Sequence, residues 1–234
     1  MNKEWSDLNK LFQTQIKKEI TFYDGIKTLL RLRDSLFNEL IKLKGELTIE
    51  EFSSMPFPNV NGYHSKTIAY SIWHIFRIED IVSNSLINNT NEIIYTYKTK
   101  ISSPIITTGN ELDKDQIVEF SKQLNIEELY KYAKEVKTNT DKMLRNLSFI
   151  DLKRSFNNND KVRIKKLNVV SNDEKAAWLI DYWCNKNVTE LLKMPFSRHW
   201  IMHIEACKRI KCKLIKERKN ARKNVKQKYK TRFK

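Results

Sequence analysis

The chain has 234 residues, 40% hydrophobic and 11% aromatic, enough for one sizeable core, and it carries a formal net charge of +16. Four glycines and four prolines are too few turn-formers for a strand-rich fold, so an all-α architecture is expected. Nothing approaches the ~18 consecutive apolar residues of a membrane span, the polar opening from Met1 to Asp7 is no secretion signal, and Cys184, Cys207 and Cys212 form no CxxC pair; a cytoplasmic protein with free thiols is expected.

In chain order, Trp5 opens a short helix running to residue 20, packed against a long amphipathic one over 21–45. In the latter Phe22, Ile26, Leu29, Leu30, Leu36, Leu40 and Leu43 recur at three-and-four spacing. Thr48 with Glu51 makes a capping box for a brief helical turn, after which Pro56, Pro58 and Gly62 break the chain. A second long helix is predicted over 65–87, with Ile68, Ile72, Trp73, Phe76 and Val82 inward. Residues 88–113 lack periodicity, suit an extended piece at 93–101, and have the length of a functional loop. A short helix follows over 113–124, and Asn125 with Glu128 caps a third long one carrying Leu129, Tyr132, Val136, Met143, Leu144 and Leu147. After a polar break at 157–160, the stretch 162–170 reads as a hairpin arm or a loop. Ser171 with Glu174 forms another capping box, and Pro195 is placed as a first-turn proline of the last helix. Four long helices with shorter ones between make a four-helix bundle the economical architecture.

The charge is not spread evenly. Residues 208–234 hold fourteen Lys or Arg against one acid, Glu217, so the preceding body is close to neutral. The expected division is a bundle over 1–216 and a basic tail over 217–234. In the tail Ala221, Val225, Tyr229 and Phe233 repeat every four residues, which suits a basic amphipathic helix on nucleic acid or an anionic membrane surface; a solvated extension has the same composition.

Three of the four histidines fall on helical core positions: His74 in the second long helix, and His199 and His203 in the last. Residues i and i+4 share a helix face with Cβ atoms roughly 6 Å apart, so His199 and His203 can grip one ion. Three neutral imidazoles on a bundle interior would hold a divalent metal (Zn, Ni or Fe) with one position open, as catalytic centres do; buried histidines also serve as hydrogen-bonded core residues. His64, near a helix start, reads as a surface or capping residue. Cys207 continues the 199, 203, 207 stripe as a ligand or a small core residue. Arg77 and Arg198 read as solvated helix charges or as residues at the rim of the site.

Four blocks carry a family resemblance. Residues 67–80, TIAYSIWHIFRIED, resemble the second-helix motif of the DinB/YfiT-like superfamily, whose histidine is a metal ligand, and TTGNEL at 107–112, WLIDYW at 178–183 and PFSRHWIMH at 195–203 resemble later blocks of a bacterial branch. The resemblance implies a DinB/YfiT-like four-helix bundle with short additional helices, often a homodimer, with a divalent ion on His74, His199 and His203. It further implies a transferase or isomerase reaction in which a low-molecular-weight thiol such as bacillithiol or mycothiol attacks a small electrophilic substrate, with a metal-dependent hydrolase as the variant using water. Many members have no assigned activity, so a non-catalytic metal-binding or stress-related interaction module is the other expectation. The basic extension has no counterpart in the family pattern.

Overall fold

The computed structural model describes residues 2–232, with side chains as far as Asn224. Among these the chain is helical, with no strand and one isolated bridge between Ser155 and Asn187. No described helix is long and apolar enough to cross a membrane.

Helix α1 (Lys3–Gln15) turns back through a 3-10 turn onto α2 (Phe22–Glu46). The expected helix to residue 20 stops early because α1 and α2 meet there: a Cβ on Gly25 would lie 2.7 Å from Ile16 Cγ2. The freed Gln15 carbonyl accepts from Thr21 Oγ1 at 2.6 Å. The short α3 (Ile49–Phe52) has the expected Thr48–Glu51 capping box. Helix α4 (Ile68–Asp80) begins at Thr67, whose side chain caps the Tyr70 amide, and is buried along its whole length. What was expected as one helix to residue 87 becomes a π-helical segment from Ile81 to Asn88, closed by Asn89 in the left-handed region.

Residues expected to be extended form a helix instead, α5 (Ile94–Ile101). Its cap is not local: the Asp80 carboxylate accepts from the Ile93 and Ile94 amides at 3.0 Å each. Ile94 and Ile101 are buried, and α5 packs on α7. Helices α6 (Lys114–Gln123) and α7 (Ile126–Asn146) start on Asp113 and Asn125 as predicted. The 162–170 hairpin or loop is also corrected, to α8 (Asn158–Lys166). The polar break before it is an N-terminus, with Asn157 and Asp160 forming a reciprocal capping box. Helix α9 (Glu174–Cys184) is capped by Asp173 rather than by Ser171. Pro195 lies in a π-helical segment (Met194–Arg198) that joins α10 (Val188–Lys193) to α11 (His199–Arg232), one turn before the helix it was expected to start.

The four long helices pack in a ring, with α2 touching α7 and α11, and α4 touching the same two. Helix α11 passes Lys216 without a break, and its last described contacts with the body are Arg218 to Glu51 and to the Glu46 carbonyl. Of the tail's apolar stripe, Val225, Tyr229 and Phe233 lie outside the residues whose side chains are described.

At the centre of the ring sits a fully buried guanidinium. Arg33 on α2 donates two hydrogen bonds to Glu79 on α4 (2.7 and 2.9 Å), one to Asp141 on α7 (2.7 Å) and one to the Phe196 carbonyl before α11 (3.2 Å). Trp200 on α11 stacks under the guanidinium at 4.6 Å and donates its indole N–H to Glu79 at 2.8 Å. Removing one member of such a set leaves the others charged and dry, at a cost of about 3–5 kcal/mol. Arg33→Met is therefore expected to destabilise the fold by about that amount in equilibrium urea unfolding, whereas Arg31→Met on the exposed side of α2, whose nearest carboxylate contact is 3.9 Å, changes stability by less than about 0.5 kcal/mol.

Candidate metal centre

His74, His199 and His203 come together. Each offers one ring nitrogen, and the three nitrogens lie within 4.8 Å of one another; among the described residues this is the group of metal-ligand type that forms. The ring centroids are 4.6–5.1 Å apart. Ligands about 2.1 Å from a tetrahedral ion sit about 3.4 Å from each other, so the set is a small side-chain rotation wide of a coordinated one.

The supporting geometry starts on α4. Tyr70, Trp73, His74 and Arg77 occupy one helix face at i, i+3, i+4 and i+7, and they donate to four consecutive carbonyls of the loop before α6. Arg77 binds the Ile106 oxygen through Nε (3.0 Å) and a terminal nitrogen (2.6 Å), Trp73 Nε1 binds that of Thr107 (3.2 Å), His74 Nδ1 that of Thr108 (2.8 Å) and Tyr70 OH that of Gly109 (3.0 Å). A carbonyl can only accept, so His74 carries its proton on Nδ1 and presents Nε2 as the ligand atom. The loop turns at Gly109, whose φ of +78° suits glycine; a Cβ there would stand 3.0 Å from the Tyr70 ring. Tyr70 also lies parallel to His74, with centroids 5.5 Å apart.

On the other wall, the π-helical turn delivers His199 to the first position of α11, with His203 one turn on. Such turns re-aim the following residues and recur at functional sites. Ser197 steadies this one by donating to the Leu192 and Lys193 carbonyls. The Nδ1 atoms of His199 and His203 are buried and have no hydrogen-bond partner. Two orphaned imidazole nitrogens beside a third imidazole of fixed tautomer fit a bound cation and fit poorly as hydrogen-bonded core histidines. Burial pushes His74 down to about 4 from its ordinary 6.5, and burial together with the neighbouring rings holds His199 and His203 well below that value. All three are therefore neutral at pH 7, as metal ligands must be.

The histidines floor a cavity of about 310 Å³, walled by Tyr63, Lys66, Trp178, Tyr182 and Trp183 among others. A larger open groove of about 1010 Å³, between α3 and the start of α6, shares no lining residue with this cavity and, among the described residues, holds no ligand cluster.

The remaining candidates separate cleanly. His64 is half-buried on the loop before α4 and accepts from Arg209 at 3.2 Å, outside the ligand group. Cys207 lies buried beneath it, with its thiol pushed up to about 12 by burial, and is not in the group either. Arg77 is neither a solvated charge nor a rim residue; it is fully buried, paired with Asp80 and Glu92, and holds the loop that orients His74. Arg198 is exposed, and its charge bears on Tyr63 and Tyr182 at the cavity mouth. Thr108 and Lys66 were not singled out from the sequence. Thr108 acts through its backbone oxygen, which leaves no side-chain signature, and Lys66 resembles any helix-flanking lysine.

Two outcomes follow from this geometry. Gly109→Ala forces a strained left-handed residue against Tyr70 and displaces the Thr108 carbonyl, so stability should fall by about 1–2 kcal/mol and metal affinity roughly 10–100-fold, read by thermal melting and competitive chelator titration. Because the three imidazoles bind protons less readily folded than unfolded, the stability they contribute is present above about pH 6.5 and is lost progressively as pH falls below it, down to about 4 for His74. Urea unfolding of metal-free protein between about pH 7 and 5 should show that decline, and a His199→Gln/His203→Gln variant should flatten it. Compared with protein families, curated proteins and solved structures, the chain matches none.

Proposed function

We propose that this chain is a divalent-metal protein of the DinB/YfiT-like type, a four-helix bundle whose three-histidine centre serves an enzyme that joins a low-molecular-weight thiol to a small electrophile. The observation that carries this reading is the neutral, buried His74, His199 and His203 group at the floor of a cavity large enough for a small substrate. Three protein ligands with an open side are the pattern of catalytic rather than structural centres. The ion, when bound, supplies Lewis acidity that lowers the pKa of a thiol or water in its open position. The chain's own residues do the rest. Thr108 fixes the His74 tautomer, Trp183 and Tyr182 wall the cavity, and among the described residues no cysteine lines it to serve as an internal nucleophile. The nucleophile therefore enters with the substrates.

A second reading has its own observation. Beyond Arg218 the helix continues with Lys219, Arg222 and Lys223 exposed, which favours a partner such as nucleic acid or an anionic membrane surface for that segment. It is compatible with the metal centre and concerns a different part of the chain.

The deciding experiment is elemental mass spectrometry of untagged protein purified without chelators. Near-stoichiometric Zn, Ni or Fe is expected in the native chain and loss of more than nine-tenths of it in His203→Ala, with the helical circular dichroism spectrum retained. Metal content indifferent to His203 would overturn the proposal.

A further inference from the structure

The cavity beside the histidines is unusual in its charge. None of its lining side chains is acidic, and one, Lys66, is a cation. Lys66 is half-buried just ahead of α4, with its ammonium 5.2 Å from the Tyr70 ring centroid. The charged group that bears on it is a second cation, Lys114, and its own charge reaches His74 and His203. Two other partly buried lysines, by contrast, are neutralised: Lys137 lies between Asp34 and Asp141 at 2.6 Å from each, and Lys211 meets Glu46 at 2.6 Å. Three neutral imidazoles would contribute no charge to offset a bound divalent ion, so the occupied cavity would hold two uncompensated positive centres among aromatic walls. Low-dielectric surroundings make such charges costly alone and strongly attractive to an anion.

We infer that this cavity takes a small organic carboxylate, its carboxylate group on the Lys66 ammonium and its flat or apolar body against Trp178 and Tyr182. Both aromatics line the cavity and are packed edge to face at 5.6 Å, and Trp178 is 50% exposed, so a ligand can reach it. Arg198, exposed and close enough for its charge to act on Tyr63 and Tyr182 of the cavity wall, adds a field that draws anions in. Lys66 is then a specificity-determining residue. A neutral molecule of the same shape forfeits a charge-assisted hydrogen bond and leaves the ammonium dry.

The inference rests on the reading of this cavity as the place where the histidine centre meets its substrate, and the test separates the two. Isothermal titration of the full chain with benzoate and with benzamide compares an anion with a neutral molecule of equal shape, metal content being measured on the same samples. Benzoate should bind roughly tenfold or more tighter than benzamide. Lys66→Met should bring the two within about twofold while metal content stays unchanged, and Lys66→Arg should keep most of the preference. Equal binding of the two probes to the native chain, or a preference that survives in Lys66→Met, overturns the inference whatever the metal content. If the native chain holds no metal yet shows a benzoate preference that depends on Lys66, the carboxylate site stands and the metal reading falls. Lys66→Gln with a native circular dichroism spectrum replaces the Met variant should that one fail to fold.

Discussion

One guanidinium removed from water governs the arrangement of the long helices. Arg33 cannot be deprotonated and has no solvent, so its hydrogen bonds must be met inside the protein. They are met by one group from each neighbour: Glu79 of α4, Asp141 of α7 and the Phe196 carbonyl leading into α11, with Trp200 beneath. Hydrophobic faces let helices slide and rotate at modest cost, because apolar contacts are not directional. A bidentate ion pair does not. The Phe196 carbonyl and the Trp200 indole flank His199, so the rotation of α11 that aims His199 and His203 is set by the same cluster that holds α2 and α4 together.

The second constraint is irregular backbone in a buried place. The loop at residues 106–109 has carbonyls that no helix or sheet satisfies, and unpaired buried carbonyls are costly. Helix α4 answers with the donors Tyr70, Trp73, His74 and Arg77 of one helix face. One of these four is a histidine whose other nitrogen faces the cavity, so the loop that needs donors is also the acceptor that sets a ligand's tautomer. Asp80 does the converse for α5, lending a carboxylate to amides that have no local cap. Helix α4 thus supplies hydrogen-bonding groups to two segments after it, which explains why a stretch rich in charge and aromatics is buried from end to end.

The two kinds of buried polarity differ in consequence. Arg33, Arg77, Glu79 and Asp80 are mutually neutralised and give rigidity without reactivity. The three histidines are neutral and close together, His199 and His203 each have a buried nitrogen without a partner, and beside them Lys66 makes no ion pair among the described residues. Polar groups with unmet demands, gathered at a cavity, mark where a ligand would bind rather than where the fold is held.

Much of this was legible in the residues. The three-and-four spacing in α2 and α7, the caps at Thr48 and Asn125, and the i, i+4 relation of His199 and His203 are properties of neighbours within a turn or two. Asn157 with Asp160 was equally local, and the α8 cap was there to be read in place of a break. Other features were not local. Helix α5 depends on a carboxylate fourteen residues upstream of Ile94, and Arg77 read as a solvated or rim charge because its partners Glu92 and Tyr132 lie outside its own helix. The sequence by itself determined the all-helical class and which three histidines face inward, since helical periodicity is written in short-range spacing. Only the tertiary structure decided that His74 meets the other two, that Thr108 orients it, and that Lys66 shares their cavity, because those relations arise from packing between helices distant in sequence.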